Sequence, residues 1–155
     1  MYTLREVTTA DIPALLDVVH AAFEEYRGRL DPPSGAHSET IESLRRELAR
    51  AYALAVLVDG EIVGCVFYKP REQYLYFYRL AVLPAHHRRG LGLTLITAIE
   101  QHARQLNLPR VRLSVRIVLT ENRAYYERLG YRLVDYARHA GYTQPTYVIL
   151  EKEVG

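Results

Sequence analysis

The segment Leu80-Ala81-Val82-Leu83-Pro84-Ala85-His86-His87-Arg88-Arg89-Gly90-Leu91-Gly92 holds the residues best suited to chemistry. An apolar strand runs into a proline, and a basic, glycine-containing turn opens a helix. The first turn of a helix has backbone N–H groups without intrahelical acceptors, and the helix dipole adds partial positive charge there. Gly90 and Gly92 lack a Cβ, so a phosphate can approach the backbone closely. Arg88 and Arg89 add fixed charge and forked donors suited to phosphate oxygens. This order of residue types predicts a phosphorylated ligand at the N-terminus of a helix beginning near Gly90. A basic turn ahead of a helix is also ordinary solvated surface, and the turn by itself does not separate the two readings. It is not a Walker loop, because no Gly-Lys-Ser/Thr follows. It is not the dinucleotide fingerprint either, whose third glycine is missing.

The elements that must position this turn follow from periodicity. Tyr2 to Val7 is strand-like, and Thr8 and Thr9 supply cap chemistry for the next helix. Ile12, Leu15, Leu16, Val19, Ala22, Phe23 and Tyr26 recur at three- and four-residue steps, an amphipathic helix ending at Gly28. Asp31-Pro32-Pro33-Ser34-Gly35 is a loop. A second helix starts near Ser38 with Ile41, Leu44 and Leu48 inward, and Glu42 and Arg46 spaced to pair. Ala53 to Val58 and Glu61 to Tyr68 form a hairpin around Asp59-Gly60. Tyr74 to Leu83 is apolar on both faces, with Tyr74, Tyr76 and Tyr78 on one and Leu75, Phe77 and Ala81 on the other. That predicts a central, doubly covered strand.

A helix from about Gly90 to Leu106 turns Leu95, Ile96, Ile99, Ala103 and Leu106 inward, and Asn107-Leu108-Pro109 ends it. Arg110 to Val118 is a strand. Asn122 to Leu129 is a short helix closed by Gly130 at a left-handed position. Tyr131 to Tyr136 and Thr146 to Glu151 are the last strands. The order βααβββαβαββ predicts one α/β (α+β) domain over residues 1–155, with a central mixed sheet flanked by helices.

Composition narrows the classes. The 155 residues are 49% hydrophobic and 25% charged, typical of a soluble globular domain. A net charge of +2 is too mild for nucleic-acid binding. No apolar run approaches the roughly 18 residues of a membrane span. The charged start of the chain is unlike a signal peptide, so a reducing, cytoplasmic setting is expected. One cysteine excludes an intramolecular disulfide and a cysteine zinc site. Cys65 lies in an apolar run and is expected to be a buried small hydrophobe. His20, His37, His86 and His102 have no ligand spacing, so no metal is expected.

Two segments in register carry a family resemblance. One is Leu80-Ala81-Val82-Leu83-Pro84 followed by His87-Arg88-Arg89-Gly90-Leu91-Gly92. The other, one helix and one strand later, is Asn122-Arg123-Ala124-Tyr125-Tyr126-Glu127-Arg128-Leu129-Gly130-Tyr131. Together with the element order they resemble the GNAT superfamily of acyl-CoA-dependent N-acyltransferases. His87 stands where that family usually has Gln or Arg.

The resemblance implies a mostly antiparallel sheet whose central strands splay to form an acyl-CoA cleft. Backbone amides from Arg88 through Leu91 to Leu93 would cradle the pyrophosphate of coenzyme A, with Thr94 adding its hydroxyl. The main chain of Leu80, Ala81 and Val82 would pair with the pantetheine arm. The Val82 N–H would face the thioester oxygen, where negative charge develops. Asn122 would hold the pantetheine from the other side. Tyr126 would protonate the departing thiolate; a phenol near pKa 10 and a thiol of about 8.5 are matched closely enough. On composition alone Tyr126, one of 13 tyrosines, would be packing.

The expected reaction is transfer of acetyl from acetyl-CoA to a primary amine of a small molecule or peptide, by direct attack in a ternary complex. The alternative is a non-catalytic CoA-binding sensor or partner-binding module. Base candidates are Glu39, Glu72, His139 or a water relay. Arg79 is a candidate for holding an acidic part of the acceptor, or for pairing with a nearby carboxylate. Tyr26, Arg29 and Ser34 flank the loop expected at the acceptor pocket. A sheet edge near Thr146 to Glu151 is the expected homodimer surface.

Overall fold

The computed structural model describes residues 1–155. The elements are β1 (Tyr2–Glu6), α1 (Ile12–Phe23), α2 (Ile41–Leu48), β2 (Tyr52–Val58), β3 (Glu61–Pro70) and β4 (Tyr74–Val82). They continue with α3 (Leu91–Gln105), β5 (Arg110–Arg116), α4 (Thr120–Arg128), β6 (Arg132–Ala137) and β7 (Tyr147–Glu153). The order βααβββαβαββ is the one the periodicity predicts. It is an α/β fold with a seven-stranded, mostly antiparallel sheet in the order β1-β2-β3-β4-β5-β7-β6. β4 and β5 run parallel. No helix is long and apolar enough to cross a membrane.

Contacts divide the chain into two compact units, Met1–Lys69 with Phe77–Ile99 and Pro70–Tyr76 with Glu100–Gly155. In the first, α1 and α2 bury their apolar stripes. Ile12, Leu15, Val18 and Val19 of α1 and Leu44 of α2 meet Ala53, Cys65, Phe67 and Ala81 of the strands. Cys65 is fully buried, and desolvation pushes its thiol up to about 12, so it is an inert packing group. On the outer side of α2, Glu42 pairs with Arg45 at 2.7 Å rather than with Arg46.

The alternation expected along β4 breaks at Arg79. Tyr78 and Ala81, assigned to opposite faces by simple alternation, pack against the same α1–α2 cluster. Arg79 has φ 53°, a left-handed residue inside a strand, which inserts one residue and reverses the face parity beyond it. Both side chains at the break reach the α2 region. The Tyr78 hydroxyl donates to the Glu47 carboxylate at the end of α2, and Arg79 Nε donates to Glu39 Oε2 at 3.2 Å just before α2 begins.

In the second unit, β7 pairs antiparallel with β5 through Arg110↔Glu153 to Arg116↔Tyr147, and with β6 on its other side. Thr146 to Glu151 is therefore not a sheet edge: β7 returns between β5 and β6 and leaves β6 outermost. The α3 helix stops at Gln105, and Leu106 is 43% exposed rather than inward. The left-handed Asn107, φ 59°, turns the chain away before Leu106 can join the buried stripe.

Two predictions follow from this packing. Gly64 lies beside β4, where an added Cβ would stand 2.8 Å from Val56 Cγ1 and 3.0 Å from the Ala81 carbonyl oxygen. Gly64→Ala is expected to destabilise the fold by about 1–3 kcal/mol in urea unfolding. Asp11 accepts from Arg5 at 2.7 and 3.0 Å and from the Thr8 N–H at 2.8 Å. The Arg5 hydrogen bonds, chiefly, hold its carboxyl at about 2. Its unfolded value is near 3.9. The folded value is the lower one, so the stabilisation is complete above about pH 4 and lost as pH falls towards 2. Asp11→Asn should lower Tm at neutral pH, and its gap to the natural protein should close near pH 2.

Candidate active site

The turn after β4 has its backbone bent by two left-handed residues, Arg88 at φ 65° and Gly90 at φ 74°. His86 N–H and His87 N–H close on Leu83 and Pro84 carbonyls, and the first helical bond recorded at α3 is Thr94 N–H to Gly90 O at 3.0 Å. Between them, the amides of Arg88 through Leu93 have no acceptor in the protein. A Cβ on Gly92 would meet nothing within 4 Å, so space lies open over the first turn. Successive amides, left-handed residues and a helix N-terminus form an anion-binding concavity. Arg88 is exposed beside it, while Arg89 is tied to His86 Nδ1 at 3.2 Å. The Thr94 hydroxyl donates to Gly90 O at 2.9 Å, inside the turn. These groups fit a pyrophosphate.

His87 has a defined task. Its Nε2 lies 2.9 Å from the Val82 carbonyl oxygen. A carbonyl only accepts, so Nε2 carries the proton and donates. The side chain fastens the anion turn to the last residue of β4. Leu83 N–H bonds to Val63 O on β3 at 2.8 Å. Backbone groups alternate in direction along a strand, so the Val82 N–H points away from β3.

In the second unit, α4 ends in a Schellman motif. Tyr131 N–H reaches Tyr126 O at 3.1 Å, Gly130 N–H reaches Glu127 O at 3.0 Å, and Gly130 has φ 100°. The side-chain contact that accompanies this motif is Tyr126 on Tyr131, edge to face with centroids 5.9 Å apart. Tyr126 is 9% exposed and also meets Tyr125 edge-on at 5.3 Å. Behind it, the Tyr131 hydroxyl donates to the buried Glu100 carboxylate at 2.8 Å, and Lys152 Nζ lies 3.1 Å from the same oxygen. Desolvation first, then the Glu100 charge, pushes the Tyr131 phenol above its ordinary range, so it stays protonated. Asn122 lies in the first turns of α4, half-buried.

A family model for the acetyltransferase (GNAT) family matches residues 15–131, which include both the anion turn and the α4 segment. The chain belongs to this family. It is similar to the uncharacterized N-acetyltransferase YjgM of Escherichia coli K12, 27% identical over 141 residues, spanning 86% of this chain and 84% of that protein. It is also similar to a Danio rerio protein named probable N-acetyltransferase 14, 39% identical over 77 residues. That match spans 48% of this chain and only 28% of the relative's length. Among solved structures, the PaiA N-acetyltransferase of Thermoplasma acidophilum in complex with coenzyme A shares the fold, with TM-score 0.83, 20% identity and 99% of each chain covered. GNAT membership carries acyl transfer as the general chemistry.

The remaining candidates are each held by their own local contacts. Tyr26 follows α1, with its ring edge-on to Phe23 and the Arg29 guanidinium over it at 5.9 Å. Ser34 is buried, and its Oγ accepts from Ala36 N–H at 3.2 Å as the cap of the Gly35–Ser38 turn. Glu39 and Arg79, separate candidates on sequence, are an ion pair, and Ser43 Oγ donates to Glu39 at 2.5 Å. Glu72 is exposed in the connection before Tyr74, at the end of β4 opposite Val82. His139 lies past β6 with Nδ1 2.5 Å from Thr146 Oγ1, and that hydroxyl oxygen also accepts from the His139 backbone N–H at 2.9 Å. Desolvation, and then Arg116, lowers the pKa of the His139 ring.

Sequence reasoning passed over Glu100 and Lys152. The signal for Glu100 is an acid among Ile96, Ile99 and Ala103 on the buried stripe of α3. Lys152, on a strand that reads only as alternating, gave none. The His87 bond predicts that His87→Ala raises the KM for acetyl-CoA about fivefold, the value of one net hydrogen bond. His87→Gln, which keeps a donor, should recover most of it in steady-state kinetics.

Proposed function

We propose that this protein transfers the acetyl group of acetyl-CoA to a primary amine by direct attack in a ternary complex. The observation that carries the reading is the run of unclaimed amides from Arg88 through Leu93, joined by His87 to the end of β4. Coenzyme A would supply the activated thioester. Arg88 and the amides of the turn hold its pyrophosphate against the start of α3. The main chain of Leu80, Ala81 and Val82 pairs with the pantetheine as a further strand would, and Asn122 bonds it as well. The Val82 N–H faces the thioester oxygen and favours the negative charge that grows there.

Tyr126 gives its phenolic proton to the sulfur as the carbon–sulfur bond breaks, so the thiol leaves neutral. The Schellman contact with Tyr131 supports this role by fixing the Tyr126 ring. The attacking amine has a reference pKa near 10.4 and loses a proton before or during attack. Holding both reactants together supplies much of the rate enhancement. No covalent enzyme intermediate is needed, in keeping with the buried, inert Cys65.

Thiol release from acetyl-CoA, measured across a panel of primary amines, tests the reading. At least one amine is expected to release thiol and gain the acetyl group. Tyr126→Phe is expected to lower kcat about tenfold or more with little change in CoA affinity. Unchanged turnover in that variant would remove Tyr126 from the mechanism. Tight CoA binding with no transfer to any amine would replace the enzyme with a CoA-binding module.

A further inference from the structure

Within the first unit, two side chains that meet the Gly35–Ser38 turn carry polar nitrogens without a partner. Arg79 donates only through Nε, to Glu39 Oε2 at 3.2 Å. Its Nη1 and Nη2 groups make no hydrogen bond, and the side chain remains 25% exposed. The fork lies directly on Gly35, where an added Cβ would be 2.8 Å from Nη2. Two residues on, His37 has both ring nitrogens buried without a partner. A neutral imidazole always carries one N–H, so a donor there is unmet. Buried polar groups left open in this way call for a ligand or an ordered water.

We propose that Arg79 recognises a carboxylate on the acceptor, so that the preferred acceptor is an amine bearing a nearby carboxylate, as in an amino acid. The inference rests on the acyltransferase reading given above. A guanidinium can bind a carboxylate side-on through Nε or end-on through its two Nη groups. Glu39 occupies the Nε position, and Ser43 holds Glu39 in place at 2.5 Å. That leaves the end-on fork oriented and open.

The Glu39 charge offsets the guanidinium, so the pair suits a monoanionic carboxylate better than a doubly charged phosphate. Lysine could not supply the planar fork. Arg79 also carries a left-handed backbone, φ 53°, which costs energy in a non-glycine residue and persists where the surroundings hold it. It stands three residues before Val82 on the same strand. The geometry thus puts the anion-recognising fork on the strand proposed to hold the thioester.

The test uses product analogues, so it does not depend on finding the best acceptor. Binding of N-acetyl amino acids and of the matching amides is measured by calorimetry on the full chain saturated with CoA. The natural protein is expected to bind at least one acid about tenfold or more tightly than its amide. Arg79→Lys and Gly35→Ala are expected to erase that preference while leaving CoA affinity unchanged. In turnover, Arg79→Lys should raise the KM for the amino acid about tenfold more than the KM for its amide, a split that a merely structural role would not give. Equal binding of acid and amide, binding of neither, or a preference retained in Arg79→Lys overturns the proposal. Loss of CoA binding by the natural protein would instead overturn the acyltransferase reading.

Discussion

A single left-handed residue in the middle of β4 organises much of the first unit. An unbroken strand would send Tyr78 and Arg79 to opposite faces. With Arg79 at φ 53°, Tyr78 bonds Glu47 at one end of α2 and Arg79 bonds Glu39 at the other. The short α2 helix, only Ile41–Leu48, is thereby fastened to the strand at both ends. Beyond the break, Ala81 enters the α1–α2 core, and the Val82 N–H turns away from β3. Gly64 completes the arrangement, since a side chain there would strike Val56 and the Ala81 carbonyl.

The chemistry proposed for this GNAT chain is concentrated at helix ends, where backbone groups lack intrahelical partners. At the start of α3 the unmet groups are donors, and the left-handed Arg88 and Gly90 gather them into one concavity. At the end of α4 the unmet groups are acceptors, and the Schellman bonds from Gly130 and Tyr131 satisfy them. That second closure also sets Tyr131 against Tyr126 and, through its hydroxyl, against Glu100 and Lys152. Glu100 is 7% exposed, and Lys152 and Tyr131 supply the partners that its buried carboxylate needs.

Much of this is legible in the sequence. The three- and four-residue steps of α1 and α3, the Asp59-Gly60 hairpin and the Gly130 stop are local signals, and each element formed within a few residues of its expected place. The turn ahead of α3 was equally legible, because glycine and a helix start act through their own backbone. Other features depend on residues far apart in the chain. His87 was assignable only once its ring was found on the Val82 carbonyl. Glu39 and Arg79, 40 residues apart, became a pair only in the folded chain. The Thr146–Glu151 strand was expected at an edge, and its pairing with both β5 and β6 moved it inside.

The sequence by itself determined the order of elements, the inert character of Cys65, the turn ahead of α3 and the two segments that mark the family. These follow from local backbone preferences and short-range patterns, which a linear string contains. The tertiary structure decided the face parity of β4 beyond Arg79, the strand order around β7, and which polar groups are satisfied or left open. The physical reason is that partner choice for a buried polar or charged side chain depends on distance in space. The open fork of Arg79 and the unpartnered ring of His37 exist only as a consequence of that choice.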